Sequence, residues 1–318
     1  MHAFARPVIS ILATALLATL AIPAVGAAPA SGQPAMLVAT FDTSTSLRSR
    51  IGPPDPLVVE TYAGAGATNI TAHHLTDAEW RVVDAALARL PALHRRILQQ
   101  HLKRLTFLDL QAGAGSALTS RLGDDTDTKT FAITLRASLL QQSLADFLDA
   151  KEANLLEPDA SGYRVEFDAG DADALTYVLT HEATHVVDQV LGLTADPTSP
   201  LMAGTWIAAR ELAEPYRSGR IARTRFRGAA RVPAAEAPAL YRALGESPFA
   251  SVYSTAAAAE DIAELFAWQQ FSTVPGQTLT LRVVDGAGKL VFEYAPLDTP
   301  RVKQRRNLVQ DILDDASP

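Results

Sequence analysis

Between Asp171 and Leu193 the chain reads DADALTYVLTHEATHVVDQVLGL, and no other stretch limits the possible folds so sharply. Asp171 or Asp173 can cap a helix start, because a short side-chain oxygen accepts from the free amides of the first turn. Gly192 is a helix stop, since glycine enters the left-handed region without steric cost. Between them Leu175, Val178, Leu179, Val186, Val187 and Val190 recur at helical spacing, which predicts a buried helix. At about 100° per residue, His181 and His185 sit about 40° apart on one face, so their imidazoles can reach one ion together. Glu182 leaves the helix about 100° from His181, where a carboxylate can hold a metal-bound water without itself binding the metal. Burying two imidazoles and a carboxylate on an apolar helix is costly unless they are paired or metal-bound. The competing reading is an ordinary amphipathic helix with satisfied histidines. A metal reading needs a third ligand from elsewhere.

That ligand is sought in Ser247 to Phe271, SPFASVYSTAAAAEDIAELFAWQQF. Ser254 or Thr255 can cap a helix packed through Ile262, Leu265, Phe266 and Trp268. Glu260 and Glu264 repeat the four-residue spacing, and Ala263 and Ala267 leave room for another helix to approach. Two carboxylates on such a face are expensive to bury unless a cation meets them. The alternative is an exposed acidic edge of Glu260, Asp261 and Glu264.

The other histidines form no competing centre. His94 and His101 fall on one face of a helix with no acidic partner, and His73 and His74 are neighbours that diverge. Cysteine is absent, so there is no disulfide and no lipid-modified cysteine, and any zinc must be held by His, Asp or Glu. The net charge is −7 and no Lys/Arg block forms a nucleic-acid surface; Arg220 to Arg231 is broken by apolar residues and reads as solvated. Met1 to Ala27 has a secretory leader's pattern: His2 and Arg6, the apolar run Val8 to Ala21, then Val25-Gly26-Ala27 at the cleavage site. The run is shorter than the ~20 residues of a spanning helix. The expectation is an exported chain, periplasmic or secreted, with no membrane anchor after cleavage.

Residues 28–75 read as an N-terminal arm or linker, with a loose Ala28 to Pro56 and a short strand at Leu57 to Thr61. The glycines at 64, 66, 113 and 115 read as turns, because no Gly-Lys-Ser/Thr follows them. Thr76 opens a capping box for a helix to about Leu90, and Pro91 starts a second through Lys103. Leu105 to Leu110 and Thr130 to Ala137 read as strands joined by a polar segment containing Gly123-Asp124-Asp125. Leu139 to Leu148 reads as a helix and Tyr163 to Phe167 as a strand. Thr130 to Ala137 is the expected sheet edge that would take an extended substrate as a further strand. Leu201 to Glu214 and Ala234 to Leu244 read as helices. Thr278 to Tyr294 reads as a hairpin turning at Asp285-Gly286-Ala287-Gly288, and Thr299 to Leu313 as a packed amphipathic helix. Strands preceding a metal-bearing helix make an α+β pattern.

His181-Glu182-Ala183-Thr184-His185 together with the later glutamate resembles the gluzincins, zinc metallopeptidases with two HExxH histidines and a downstream glutamate. The spacing of Tyr253, Glu260 and Glu264 is similar to that of the protease domain of anthrax lethal factor and related bacterial zinc peptidases. The resemblance covers these two motifs, with a helix–strand–helix arrangement before them. The long gap between the motifs and the C-terminal hairpin and helix, about 276–318, have no counterpart in it. It implies one zinc per chain bound by His181, His185 and Glu260, with Glu182 as general base. It also implies that Tyr253 steadies an oxyanion and that Glu264 supports the site from behind. The implied fold is zincin-like over 76–318: a small sheet packed on the HExxH helix and a mainly helical C-terminal half. Tyr253 could equally pack against the Glu260 helix, while Asp188 and Asp261 could orient a ligand imidazole or simply cap or solvate their helices.

The expected function is therefore zinc-dependent hydrolysis of peptide bonds in peptide or protein substrates, with no nucleic-acid partner. The alternatives are a secreted, zinc-stabilised binding protein and an interaction domain without metal. Glu182 favours the enzyme, because a purely structural zinc site needs no general base.

Overall fold

The computed structural model describes residues 41–111, 113–122 and 129–315. The expected leader, the first part of the arm and Gly123-Asp124-Asp125 lie outside the described residues. The fold is α+β, with small sheets and eight α-helices among the described residues.

The main sheet has the order β1 (Thr71–Ala72), β2 (Leu102–Asp109), β4 (Thr130–Arg136), β3 (Ala117–Leu122). β2 and β4 are parallel, and β1 and β3 run antiparallel to their neighbours. The strand period of two divides it: Phe107, Ala117, Phe131 and Ile133 face the main core, whereas Leu108, Leu118 and Ala132 face a small core with Val58 and Tyr62. Val58 and Tyr62 belong to α1 (Pro56–Gly64), where Leu57 to Thr61 was expected to be a strand. Asp55 caps this helix and Pro56 opens it, and the buried residues fall four apart; these signals override the β-branched Val58-Val59 pair.

The expected loose arm is docked where it is described. Leu47 joins the main core, and the buried Arg50 donates to Leu98 O, Leu102 O and Gln99 O. Thr76 forms the expected capping box with Glu79 at the start of α2 (Asp77–Arg89). α3 (Ala92–His101) passes directly into β2. A 3-10 turn, Ala137–Gln141, precedes α4 (Leu144–Ala153), which begins later than the expected helix at Leu139.

Strand β3 is a correction with consequences. Its first four residues are all buried, so they show no alternation, and ALTSRL was read as part of a polar connection. With β3 present, Thr130 to Ala137 is an inner strand, and the sheet edge beside the histidine helix is β3.

The expected helix at Leu201 to Glu214 is instead a turn-rich segment. Gly204 takes φ 71°, and β7 (Trp206–Ala208) and β8 (Glu211–Leu212) form a small hairpin that sinks Trp206 and Leu212 into a second core. That core lies under a three-stranded sheet of β6 (Arg164–Asp168), β10 (Thr280–Val284) and β11 (Leu290–Tyr294), together with α6 (Ala237–Gly245). Short β5 (Leu156–Glu157) pairs with β9 (Val232–Pro233). The C-terminal half is thus mixed rather than mainly helical. The hairpin at Thr278 to Tyr294 forms as expected. The histidine helix α5 (Ala174–Leu191) packs between the main sheet and α7 (Ala258–Ser272), and α8 (Pro300–Asp315) packs on α7.

Candidate metal centre

Helix α5 begins where Asp173 accepts the Thr176 amide at 2.7 Å and ends at Gly192, φ 70°. It packs on sheet and helices at once, so His181, Glu182 and His185 are each at most 2 % exposed. Their donor atoms lie within 4.8 Å of one another, and this buried group could hold a metal ion. Helix α7 brings Glu260 and Glu264 to the same place. Glu260 Oε2 is 3.1 Å from His181 Nε2 and 3.5 Å from His185 Nε2. Tetrahedral zinc with bonds of about 2.0–2.1 Å separates its donors by about 3.3 Å, so these spacings fit a three-ligand set. His185 Nδ1 and Glu182 Oε1 make no hydrogen bond, and His185 Nε2 has only the 3.5 Å approach of Glu260. Buried polar atoms without such partners are what a metal and its water would satisfy. Glu260, Asp261 and Glu264 are buried, which rules out an exposed acidic edge.

Glu264 lies behind the pair. Its Oε1 is in ion-pair contact with His181 Nδ1 at 3.2 Å and accepts from the Tyr177 hydroxyl. Its Oε2 accepts from Ser251 Oγ and, at 3.3 Å, from Trp268 Nε1. His181 is held by a carboxylate on each nitrogen. Burial opposes its protonation, but hydrogen bonds to Glu260 and Glu264 push its pKa up to about 9. Against the same burial penalty, His185 and His181 hold Glu260 well below the usual carboxylate range.

Glu182 is anchored from the sheet. Thr119 on edge strand β3 donates to its Oε2 at 2.7 Å, and lies 3.0 Å from its backbone carbonyl. Burial raises the Glu182 carboxyl, with His185, His181 and Thr119 working against the shift. A carboxylate with one oxygen anchored and the other unpaired beside two imidazoles is placed to take up and return a proton.

Tyr253 lies in a 3-10 turn, Tyr253–Thr255, just before α7. Its ring centroid is 6.0 Å from that of His181 and meets Phe226 edge-on at 5.0 Å. Burial and the hydrogen-bonded Glu260 raise its phenol well above the ordinary value. The expected caps at Ser254 and Thr255 do not form: α7 starts at Ala258 behind Ala257, and the Ala258 amide donates to Ala209 O at 2.9 Å. The Thr255 hydroxyl is spent locally on Val252 O. Arg227, in the segment read as solvated, donates to Thr255 O and Ala256 O and holds this turn.

Asp188 and Asp261 do not touch the histidines. Asp188 accepts from the Thr194 amide and hydroxyl, both at 2.8 Å, and fixes the chain leaving α5. Asp261 Oδ2 accepts from Trp206 Nε1 and Arg305 Nη1, each at 2.8 Å. Of the remaining histidines, His94 Nε2 is 2.9 Å from Thr184 Oγ1 and His101 Nδ1 is 2.8 Å from Lys129 O, so both are packed. Thr119, Tyr177 and Ser251 were not read from the sequence as site residues. Tyr177 carried a signal, because it lies one turn before His181 on the same face; the other two carried none.

No protein-family model, curated protein or solved structure matches this chain. Among the described residues no helix is long and apolar enough to cross a membrane.

Proposed function

We propose that this chain is an exported zinc metallopeptidase of gluzincin type, in which His181, His185 and Glu260 hold one zinc ion and peptide or protein substrates are hydrolysed. The observation that carries the reading is the approach of Glu260 Oε2 to both ligand-side imidazole nitrogens, 3.1 and 3.5 Å, from a different helix. The residues 1–27 support export by their sequence pattern alone. Zinc, when bound by three protein ligands, offers an open position at which a water is acidified and a scissile carbonyl polarised.

The protein's own groups divide the remaining work. Glu182 accepts the proton of the attacking water on its unpaired Oε1 and delivers it to the leaving amine, while Thr119 keeps Oε2 and the carboxylate plane in place. Tyr253 supplies a phenolic hydroxyl for the oxyanion, an effect typically worth about 3 kcal/mol. Its raised pKa keeps that proton in place at neutral pH. Glu264 Oε1, 3.2 Å from His181 Nδ1, sits where it favours the tautomer whose Nε2 faces Glu260.

The test is proteolysis of unfolded-protein and peptide mixtures by the zinc-loaded chain lacking residues 1–27, beside Glu182→Gln, with metal content measured in both. Cleavage by the first and not by the second, with zinc in each, is the expected result. One zinc per chain with no cleavage by either would favour the zinc-stabilised binding protein. Equal cleavage by both would remove Glu182 from the mechanism.

A further inference from the structure

Helix α4 reaches the centre with a charge that neither motif contains. Lys151 is 7 % exposed, and its Nζ lies 3.6 Å from Glu264 Oε1 and 4.0 Å from the centroid of the Tyr253 ring. That carboxylate oxygen is the one in contact with His181 Nδ1. One ammonium therefore touches two of the groups beside His181, Glu264 and Tyr253. Its own position is set independently of them. Ser143 caps α4 by accepting the Asp146 amide at 3.1 Å, and Asp149 Oδ1 accepts the Phe167 amide at 2.7 Å, tying α4 to β6.

We propose that Lys151 is a positioning residue for the metal centre: its ammonium fixes the Glu264 carboxylate on the Nδ1 side of His181 and seats the Tyr253 ring beside that histidine. The inference rests on the reading of His181, His185 and Glu260 as zinc ligands. Charge supplies the reason. Glu182, Glu260 and Glu264 are buried together, and a dication facing Glu260 leaves Glu264 one shell away, where a second cation keeps it from turning elsewhere. Acceptors behind metal-bound histidines typically matter 10- to 100-fold in metal affinity, because they set ring orientation and tautomer. A compact ammonium can meet a carboxylate edge and an aromatic face at once, and the cation–ring contact is strengthened by exclusion of water. The neighbouring Glu152 accepts from Tyr241.

The experiment compares the wild-type chain, Lys151→Met and Lys151→Arg. Zinc dissociation constants come from chelator competition at one pH, and unfolding midpoints from the metal-free forms. Lys151→Met is expected to weaken zinc about 10- to 100-fold, and Lys151→Arg to recover part of that loss. A merely structural lysine would lower the metal-free midpoint and leave the zinc constant where it was, and that result overturns the proposal. Should Lys151→Met fail to fold, the double variant Lys151→Met/Glu264→Gln removes both charges and is compared with Glu264→Gln alone. Equal zinc affinity in those two supports action through Glu264; a further 10-fold loss in the double variant overturns it. A wild-type chain that takes up no zinc overturns the ligand reading and this inference with it. Wild-type binding with an unchanged Lys151→Met constant overturns this inference alone.

Discussion

Thr119 shows what one hydroxyl outside both motifs contributes. It bridges edge strand β3 to the Glu182 side chain and carbonyl, so a Thr119→Val variant keeps the shape and loses the donor. The expected outcome is a drop in kcat of about 10-fold or more with zinc content unchanged, read from steady-state cleavage and metal analysis. Unchanged kcat would mean that Glu182 is held by its packing. Glu152 makes a prediction about pH. Burial, against hydrogen bonding by Tyr241, pushes its pKa up to about 7. A raised carboxyl binds its proton more tightly in the folded state, so its contribution is full below about 4.5 and fades as pH rises through about 7. Glu152→Gln should flatten that decline, gaining on the wild type by on the order of 3 kcal/mol between pH 4.5 and 8 in urea unfolding. A parallel pH dependence of the two proteins would show that Glu152 titrates normally. At this scale the sequence was informative where spacing encodes position. The pairs His181/His185 and Glu260/Glu264 follow from four-residue helical spacing, and Glu182 from its place one residue after His181. Thr119 and Lys151 reach the site from elements distant in the chain, and nothing local marks them.

Helix α8 was expected to pack and nothing more, and its packing has an electrostatic core. The buried Arg305 pairs with Asp261 at 2.8 Å and donates to Leu201 O at 2.7 Å, so α8 is tied to α7 one residue from Glu260. Removing one partner of a buried pair leaves an uncompensated charge, which costs about 3–5 kcal/mol. Arg305→Met should lose that much stability in urea unfolding, and Arg305→Met/Asp261→Asn should regain a substantial part. A loss below about 1 kcal/mol would place the pair in water-like surroundings. Among elements, two helices were legible from their ends: Asp173 and Gly192 delimit α5, and Thr76 with Glu79 opens α2. Those decided by tertiary burial were not. β3 hides its alternation because it is covered on both faces, and α1 hides behind two valines. At Leu201 to Glu214 the apolar residues satisfied a helical pattern, but Gly204 and the demand of Trp206 for the second core broke it.

For the molecule as a whole, the proposed centre is enclosed by elements of the main core. Helices α5 and α7 form one packed pair, and buried residues of both belong to the same cluster as the sheet and α8. The carboxylates of Glu182, Glu260 and Glu264 are therefore sequestered within the folding core. If His181, His185 and Glu260 hold a cation as proposed, it would bind the folded chain, where those groups converge, and binding would add to stability. At a free zinc concentration 100-fold above the dissociation constant this is about 2.7 kcal/mol. For a chain of this size the unfolding midpoint should rise by on the order of 5 °C from excess chelator to excess zinc. Glu260→Gln should lose most of that rise, because it removes the charge that reaches both imidazoles, whereas Glu182→Gln should retain it, because that carboxylate is assigned to the proton and not to the metal. Differential scanning calorimetry of the three proteins, each with chelator and with zinc, separates the two glutamates. A rise lost in Glu182→Gln and kept in Glu260→Gln would exchange their roles, and no rise in any of them would leave the buried histidines as part of the core's own packing.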